Sequence, residues 1–204
     1  MSVTTPIKED LIQEQILQAA KRLFAVHGLA KVTMDDVAKA IGKGRSSLYY
    51  YYKSKDEIFD AVMKIEIKEM LETLEKAVDE KPTTEEKIHA FVAAKFRLTR
   101  EKSSFFNAIK IGMDADALTD FNKTKIAHHH LIMKMESALF SRILNTGIKQ
   151  GELKAINETD MDTLIYILLS SIRGLRNEMS LPDNMHEPEP AIARFVSVIM
   201  HGLK

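Results

Sequence analysis

The chain has 204 residues of which 45% are apolar, enough for one large domain or two small ones around a buried core. It holds no cysteine, which excludes a disulfide framework, thiolate chemistry and cysteine-based zinc sites. Net charge is zero overall, but residues 1–55 carry nine Lys/Arg against five acids, a balance of +4 that leaves −4 for residues 56–204.

In chain order, Met1 to Pro6 contains no apolar secretory segment, and no later apolar run approaches the length of a membrane span, so a cytoplasmic protein is expected. Ile12, Ile16, Ala19, Ala20, Leu23 and Phe24 recur at three- and four-residue steps and predict a first helix over residues 8–27, stopping at His27 and Gly28. Thr33 reads as the N-cap of a short helix carrying Met34, Val37, Ala38 and Ile41, which Gly42 closes in the left-handed conformation. Lys43, Gly44 and Arg45 then make a turn, and Ser46 to Tyr52 a second short helix ending near Lys53.

Ser54 to Glu57 has the form of a capping box and opens a long helix bearing Ile58, Val62, Ile65 and Leu71. Thr83 and Glu86 repeat the box after Pro82, with Ile88, Phe91, Val92, Lys95 and Phe96 at helical spacing behind them. Further helices are expected near residues 103–111, 115–148, 160–179 and 189–203, separated by Gly112, by Gly147 to Gly151 and by a loop from Pro182 to Pro190. No alternating strand pattern, internal repeat or low-complexity tract interrupts this series. The expected fold class is all-α, with a DNA-binding domain over residues 1–55 and a larger helical ligand-binding and dimerisation domain over 56–204.

Two short helices joined by a tight glycine turn describe a helix-turn-helix unit. The basic excess has its focus there: Lys43 to Lys55 includes four basic residues and no acid, a place to attract a polyanion. Small side chains at Gly44, Ser46 and Ser47 would let the second helix approach base edges, with Arg45 as a long bidentate donor and Ser47 as a second base reader. Thr33, Lys43, Tyr49, Tyr50 and Lys55 are candidates for the phosphate grip.

These residues resemble the tetracycline-repressor (TetR) family of bacterial regulators. The resemblance rests on Val37-Ala38-Lys39-Ala40-Ile41-Gly42, on Leu48 through Phe59, on the first helix ending at Phe24 to Gly28, and on Gly147 to Glu152 as the close of a long helix in a second domain. It implies a ligand-responsive repressor that binds an inverted-repeat operator on double-stranded DNA as a homodimer, with Tyr49 and Tyr50 reaching DNA, Tyr51 touching phosphate and Tyr52 in a buried aromatic place. Two positions depart from the family pattern: Lys43 stands where an apolar residue is usual, and Gly44 cannot cap the recognition helix with a side chain. Lys43 is therefore expected to point toward phosphate.

The same resemblance places an effector pocket inside the second domain, for which Phe91, Phe96, Phe105, Phe106, Met113, Phe121, Met133 and Phe140 are candidates alongside a reading as plain core. Their predominance over paired charges favours a hydrophobic or amphipathic small molecule. Met161, Leu164, Leu168, Ile172, Leu175 and Met179 form one apolar seam, and Ile192, Phe195, Ile199 and Leu203 another. Such seams are either ordinary core or a dimer interface, and the dimer reading uses Leu164, Leu168, Ile172, Leu175, Ile192, Phe195, Ile199 and Leu203.

Other signals carry less. Gly42 to Ser47 lacks the spacing and preceding strand of a nucleotide-phosphate loop. His128, His129 and His130 splay about 100° apart on a helix, which reads as a solvated or partly packed run rather than a metal site. Asp114, Asp116 and Asp120 lack the glycine and terminal glutamate of a calcium loop and are expected at a helix N-terminus. No metal or cofactor is expected, and no nucleophile, base and orienter assemble into an enzyme site. An enzyme and a helical partner-binding protein without DNA activity remain the alternative classes.

Overall fold

Left-handed glycines and side-chain caps cut the chain into helices. The computed structural model describes residues 4–181 and 187–204, and these form α1 (Thr4–His27), α2 (Met34–Ala40), α3 (Arg45–Tyr51), α4 (Lys55–Asp79), α5 (Thr84–Ile109), α6 (Ala115–Lys149), α7 (Glu158–Met179) and α8 (Pro188–Leu203). The fold class is all-α, with no strand among the described residues. Residues 1–3, and the part of the Pro182–Pro190 loop up to residue 186, lie outside them; from Pro188 the chain is helical, with proline in the first turn, where its missing N–H costs nothing.

The caps follow from local chemistry. Thr33 Oγ1 accepts from the Asp36 N–H while the Asp36 carboxylate accepts from the Thr33 N–H at 2.8 Å, a complete capping box at the start of α2. Thr83 and Glu86 repeat it at α5. At α4 the Ser54 hydroxyl accepts from Glu57 N–H, but the Glu57 carboxylate reaches one residue further back, to the Lys53 N–H at 2.6 Å. Asp114 accepts from Ala117 N–H at 2.8 Å and caps α6, so its place at a helix N-terminus is as expected. Gly28 ends α1 at φ +80°, and a Cβ there would meet the backbone oxygen of Ile111 at 2.6 Å; only glycine fits both the backbone and the space.

Two compact units divide the chain: Met1–Lys68 with Lys102–His128, and Glu69–Glu101 with His129–Lys204. The boundary falls inside α4, α5 and α6, so packing is drawn differently from a single cut after residue 55. The expected separate helix at 103–111 is absent, because α5 runs unbroken to Ile109. The apolar period breaks there for a physical reason: Leu98 serves the second unit's core, whereas Phe105, Phe106 and Ile109 serve the first.

In the first unit, Ile16, Phe24, Leu48, Ile58 and Ile109 are fully buried, and Phe24 meets Phe59 edge-on at 5.9 Å. One carboxylate lies at this core's margin. Glu66 of α4 is 4% exposed and pairs with Lys21 of α1 and with Lys102 of α5, the latter at 2.6 Å. In the second unit, Phe91 and Phe140 stack edge to face at 5.0 Å among Leu74, Ile88, Leu144, Leu169 and Ile172.

Burial alone would raise the Glu66 carboxyl, but hydrogen bonds from Lys102 and Lys21 outweigh it and hold the group below its ordinary value of 4.5. A carboxyl depressed in the folded state adds stability that is full above its unfolded pKa and is lost as pH falls through that value toward the lower folded one. Glu66→Gln is therefore expected to cost about 2–3 kcal/mol at pH 7, with the deficit shrinking steadily below about pH 4.5, as measured by urea unfolding across pH. A deficit that is the same at pH 7 and pH 3 would mean that the charge on Glu66 contributes nothing.

Candidate nucleic-acid interface

A seven-residue helix cannot persist in water on its own, so α3 depends on what it buries. Leu48 is fully enclosed in the first unit's core, with Tyr51 and Tyr52 half-buried beside it. Burial also raises the Tyr52 phenol, followed by the charge of Glu57, and its expected inward aromatic place is observed. With that side turned in, Arg45, Ser46, Tyr49 and Tyr50 face out, Tyr50 by 73%.

The turn before α3 is built from α2. Gly42 adopts φ +67° after the C-cap Ile41, and the Lys43 N–H donates to the Ala38 carbonyl at 3.0 Å. Gly44 is the N-cap of α3, in extended conformation and without a side-chain hydrogen bond, as its lack of a side chain requires. Lys43 is exposed and, with Ser47, Tyr50, Tyr51, Ile12, Ile16 and Ile41, borders a groove of about 230 Å³, below the size of an ordinary small-molecule pocket.

Arg45 is held before any DNA arrives. Its Nη2 donates to the Tyr49 hydroxyl at 3.0 Å, its guanidinium carbon lies 5.4 Å from the Tyr49 ring centroid, and its Nε is 3.3 Å from Asp35 Oδ1. Asp35, at the start of α2, was not singled out by sequence reasoning; only the fold brings it to Arg45. Tyr50 and Tyr51 pack edge to face at 5.0 Å.

Two of the expected phosphate ligands already have structural tasks. The Thr33 hydroxyl sits inside its capping box, donating to Asp36 at 2.6 Å. The Lys55 ammonium donates to the carbonyls of Leu29 and Ala30 at 2.7 and 3.2 Å, tying the start of α4 to the loop after α1. Those carbonyls lie between α1 and α2 and have no helical partner, so the lysine satisfies them.

The eight candidates for an effector pocket, read from the sequence alongside plain core, divide between the two cores. Phe105, Phe106, Met113 and Phe121 pack on the first unit's core, Phe121 at 6.0 Å from Phe59. Phe91 and Phe140 are fully buried core of the second unit, with Phe96 and Met133 against it. An open surface groove of about 870 Å³ in the second unit is bordered by Glu69, Thr73, Lys76, Ala77, His89, Ala93 and Arg97, none of them among the eight. Polar residues and alanines gave no periodic signal to find it by. The histidine run is partly packed: His128 is buried against Asp60 at 2.8 Å, His129 meets Arg173, and His130 is exposed. Among the described residues, no group of three His, Asp or Glu side chains could hold a metal ion, and no helix is long and apolar enough to cross a membrane.

The position of Lys55 changes what its removal should do. Lys55→Met is expected to lower unfolding free energy by about 1–3 kcal/mol, because two carbonyls lose a charged donor. A variant of unchanged stability with a weakened salt dependence of DNA binding would return Lys55 to phosphate contact alone.

Comparison with known proteins places this geometry. Residues 16–62 match the family model described as bacterial regulatory proteins, tetR family. The chain is 30% identical over 159 residues to the uncharacterized HTH-type transcriptional regulator YhgD of Bacillus subtilis, covering 76% of each chain. It is 25% identical to the fatty acid metabolism regulator protein of the same organism, over 69% of this chain and 70% of that one. The solved structure of the transcriptional regulator FadR from Bacillus subtilis in complex with stearoyl-CoA shares the fold, with a TM-score of 0.60 at 19% identity over 94% of this chain and 99% of that one. With a matched helix-turn-helix, a relative at this identity over three quarters of its length and the same helical fold throughout, the chain belongs to the TetR family of DNA-binding transcriptional regulators.

Proposed function

We propose that this protein is a ligand-responsive repressor of the cytoplasm that binds an inverted-repeat operator as a homodimer. The observation that carries the reading is α3 itself, whose buried side is Leu48 and whose free side offers Arg45, Ser46, Ser47, Tyr49 and Tyr50 next to Lys43. In this reading Arg45 and Ser47 contact base edges, Gly44 and Ser46 let the helix backbone approach, and Lys43, Tyr49 and Tyr50 grip phosphate with Tyr51 at the margin, while Thr33 and Lys55 hold the cap and loop behind them. Residues 1–55 serve DNA, and residues 56–204 serve the ligand and pairing.

For the pairing surface, burial favours the outward side of α7 and α8 over part of the seams read from the sequence. Leu168, Ile172, Ile192 and Ile199 are buried against their own chain, and Leu164, Leu175, Phe195 and Leu203 are half-buried at its edge. The outward side of α7 and α8 instead carries Tyr166, Ile167 and Val198, exposed by 63, 53 and 65%. Gly174 and Gly202 lie on these helices with no heavy atom within 4 Å of an added Cβ, so a second backbone can approach closely. Two copies joined by a two-fold axis through these faces would present two α3 helices to two half-sites.

For the effector, the relative named for fatty acid metabolism and the fold neighbour holding stearoyl-CoA support an amphipathic small molecule. α4 contributes residues to both compact units, Lys55–Lys68 to one and Glu69–Asp79 to the other, and this continuity is the proposed route from ligand to DNA. Coupling is reciprocal: an effector that weakens operator binding tenfold must itself bind tenfold more weakly in the presence of operator, about 1.4 kcal/mol.

Selection of bound sequences from a random duplex pool is expected to return an inverted repeat. Arg45→Ala should relax one position per half-site, at a cost of about 1–3 kcal/mol for the preferred base. An unaltered preference would remove Arg45 from base reading. For the dimer, Tyr166→Glu with Val198→Glu is expected to sediment as a folded monomer with weak operator affinity, whereas Leu168→Glu should unfold the second unit. A Tyr166/Val198 double variant that remains a dimer would relocate the interface.

A further inference from the structure

Inside the second unit, three helices bring together more positive charge than they neutralise. Lys95 of α5 is 6% exposed, and its ammonium bonds to Glu136 of α6, 1% exposed, at 2.5 Å. Arg173 and Arg176 of α7 lie close enough to add their charge to Lys95, and Arg176 feels Glu136 as well. His129, seven residues before Glu136, meets Arg173 Nη1 through its Nε2 at 2.5 Å. Since the arginine is always a donor, the imidazole nitrogen accepts and the ring is neutral there; burial, then Arg173, lowers its pKa and keeps it so. Among the described residues, Lys95 and Arg176 therefore both act on Glu136 while Arg173 adds a third positive charge beside them.

Hydrogen bonding is incomplete on two of the same helices, α6 and α7. Arg176 Nε, Ser170 Oγ and Glu136 Oε1 are all buried without a partner. Ser170, Arg173 and Arg176 stand at three-residue steps on one side of α7, so the open Ser170 and Arg176 groups flank Arg173, which is engaged with His129. A buried charge or donor left unmatched costs several kcal/mol, and native proteins retain such groups where function requires them. Burial, the largest influence, pushes both Lys95 and Arg176 toward losing their protons, a strain that an arriving negative charge would relieve. The surplus is positive, so the missing group is an anion.

We infer that Ser170, Arg173 and Arg176, backed by the Lys95–Glu136 pair, form the subsite for an oxyanion, a carboxylate or a phosphate, on the effector of this protein. Guanidinium groups match the planar and tetrahedral oxygens of both. Glu136 holds Lys95 in place and limits the surplus, and its free oxygen accepts a hydrogen bond from a hydroxyl or water carried in beside the anion. This deepens, and rests on, the reading of the protein as ligand-responsive: an apolar chain would lie in the unit's interior with its charged end on α7.

The test uses the full-length protein with three octyl probes that differ only in their ends, octanoate, octyl phosphate and octan-1-ol, followed by calorimetry and thermal shift. At least one anionic probe is expected to bind tenfold or more tightly than octanol, and the preferred one identifies the oxyanion. Arg176→Gln and, separately, Arg173→Gln should each lose at least tenfold for that anion, leave octanol unaffected, and be no less stable than wild type when probe-free. Equal affinity for all three probes, no binding by either anion, or full anion affinity in both variants would overturn the subsite. Release of operator is read separately: an anion that binds through Arg176 without weakening operator binding would sink the regulatory reading and leave the subsite standing. Release by octanol as strong as by the anions would do the reverse.

Discussion

A recognition helix of two turns is too short to hold its own hydrogen bonds against water, and the DNA-binding end of this protein is arranged around that constraint. Leu48 supplies the anchor, Gly42 aims the chain into the turn, and the Ala38 carbonyl receives the Lys43 N–H so that the loop contributes to the fold. Behind α3, α2 is itself short and depends on the Thr33–Asp36 box, and the loop preceding it is fastened by Lys55. Each of these contacts leaves the outward side of α3 untouched. The exposed serines and tyrosines lie outside the buried anchor that Leu48 provides.

Arg45 shows how a base-reading residue is kept ready. A free arginine loses considerable rotamer entropy when it is fixed on a base. Tyr49 and Asp35 pay part of that cost in advance by holding the guanidinium on its Nε side and one Nη, leaving the other nitrogen free. The same acid competes with DNA for the arginine, so Asp35 trades raw affinity for a defined starting geometry. The basic excess of residues 1–55 offsets what that trade gives away.

Charges are used differently in the two units. In the first, Glu66 has two lysines at one carboxylate, both partly exposed, and water screens the surplus. In the second, the Lys95–Glu136 pair is nearly sealed and Arg176 lacks a partner for Nε, so screening is weak and the surplus is felt. Similar ratios of base to acid thus give a stabilising clamp in one place and an unsatisfied group in the other, with burial as the deciding variable.

What could be read from the chain alone were the features whose causes are local. Capping boxes at Thr33 and Thr83, the glycines after α1 and α2, a turn between α2 and α3 and the opening of α4 at Ser54 all depend on residues within four positions of one another, and all are present, the turn closing one residue earlier than expected because Arg45 already belongs to α3. The helix-turn-helix was legible for the same reason, as was family membership. Tertiary structure decided which core each apolar residue serves: Phe105, Phe106, Met113 and Phe121 share the helical spacing of Phe91 and Phe140 yet belong to the other unit. It decided that Leu168, Ile172, Ile192 and Ile199 of the seams are buried in their own chain while Tyr166, Ile167 and Val198 face out, because a period of three and four marks a side without saying what covers it. It also joined Asp35 to Arg45, Lys55 to Leu29, and Lys95 to Glu136 across 41 positions. Partners separated by that much chain leave no periodic trace in a sequence, since their meeting depends on the path of every helix between them.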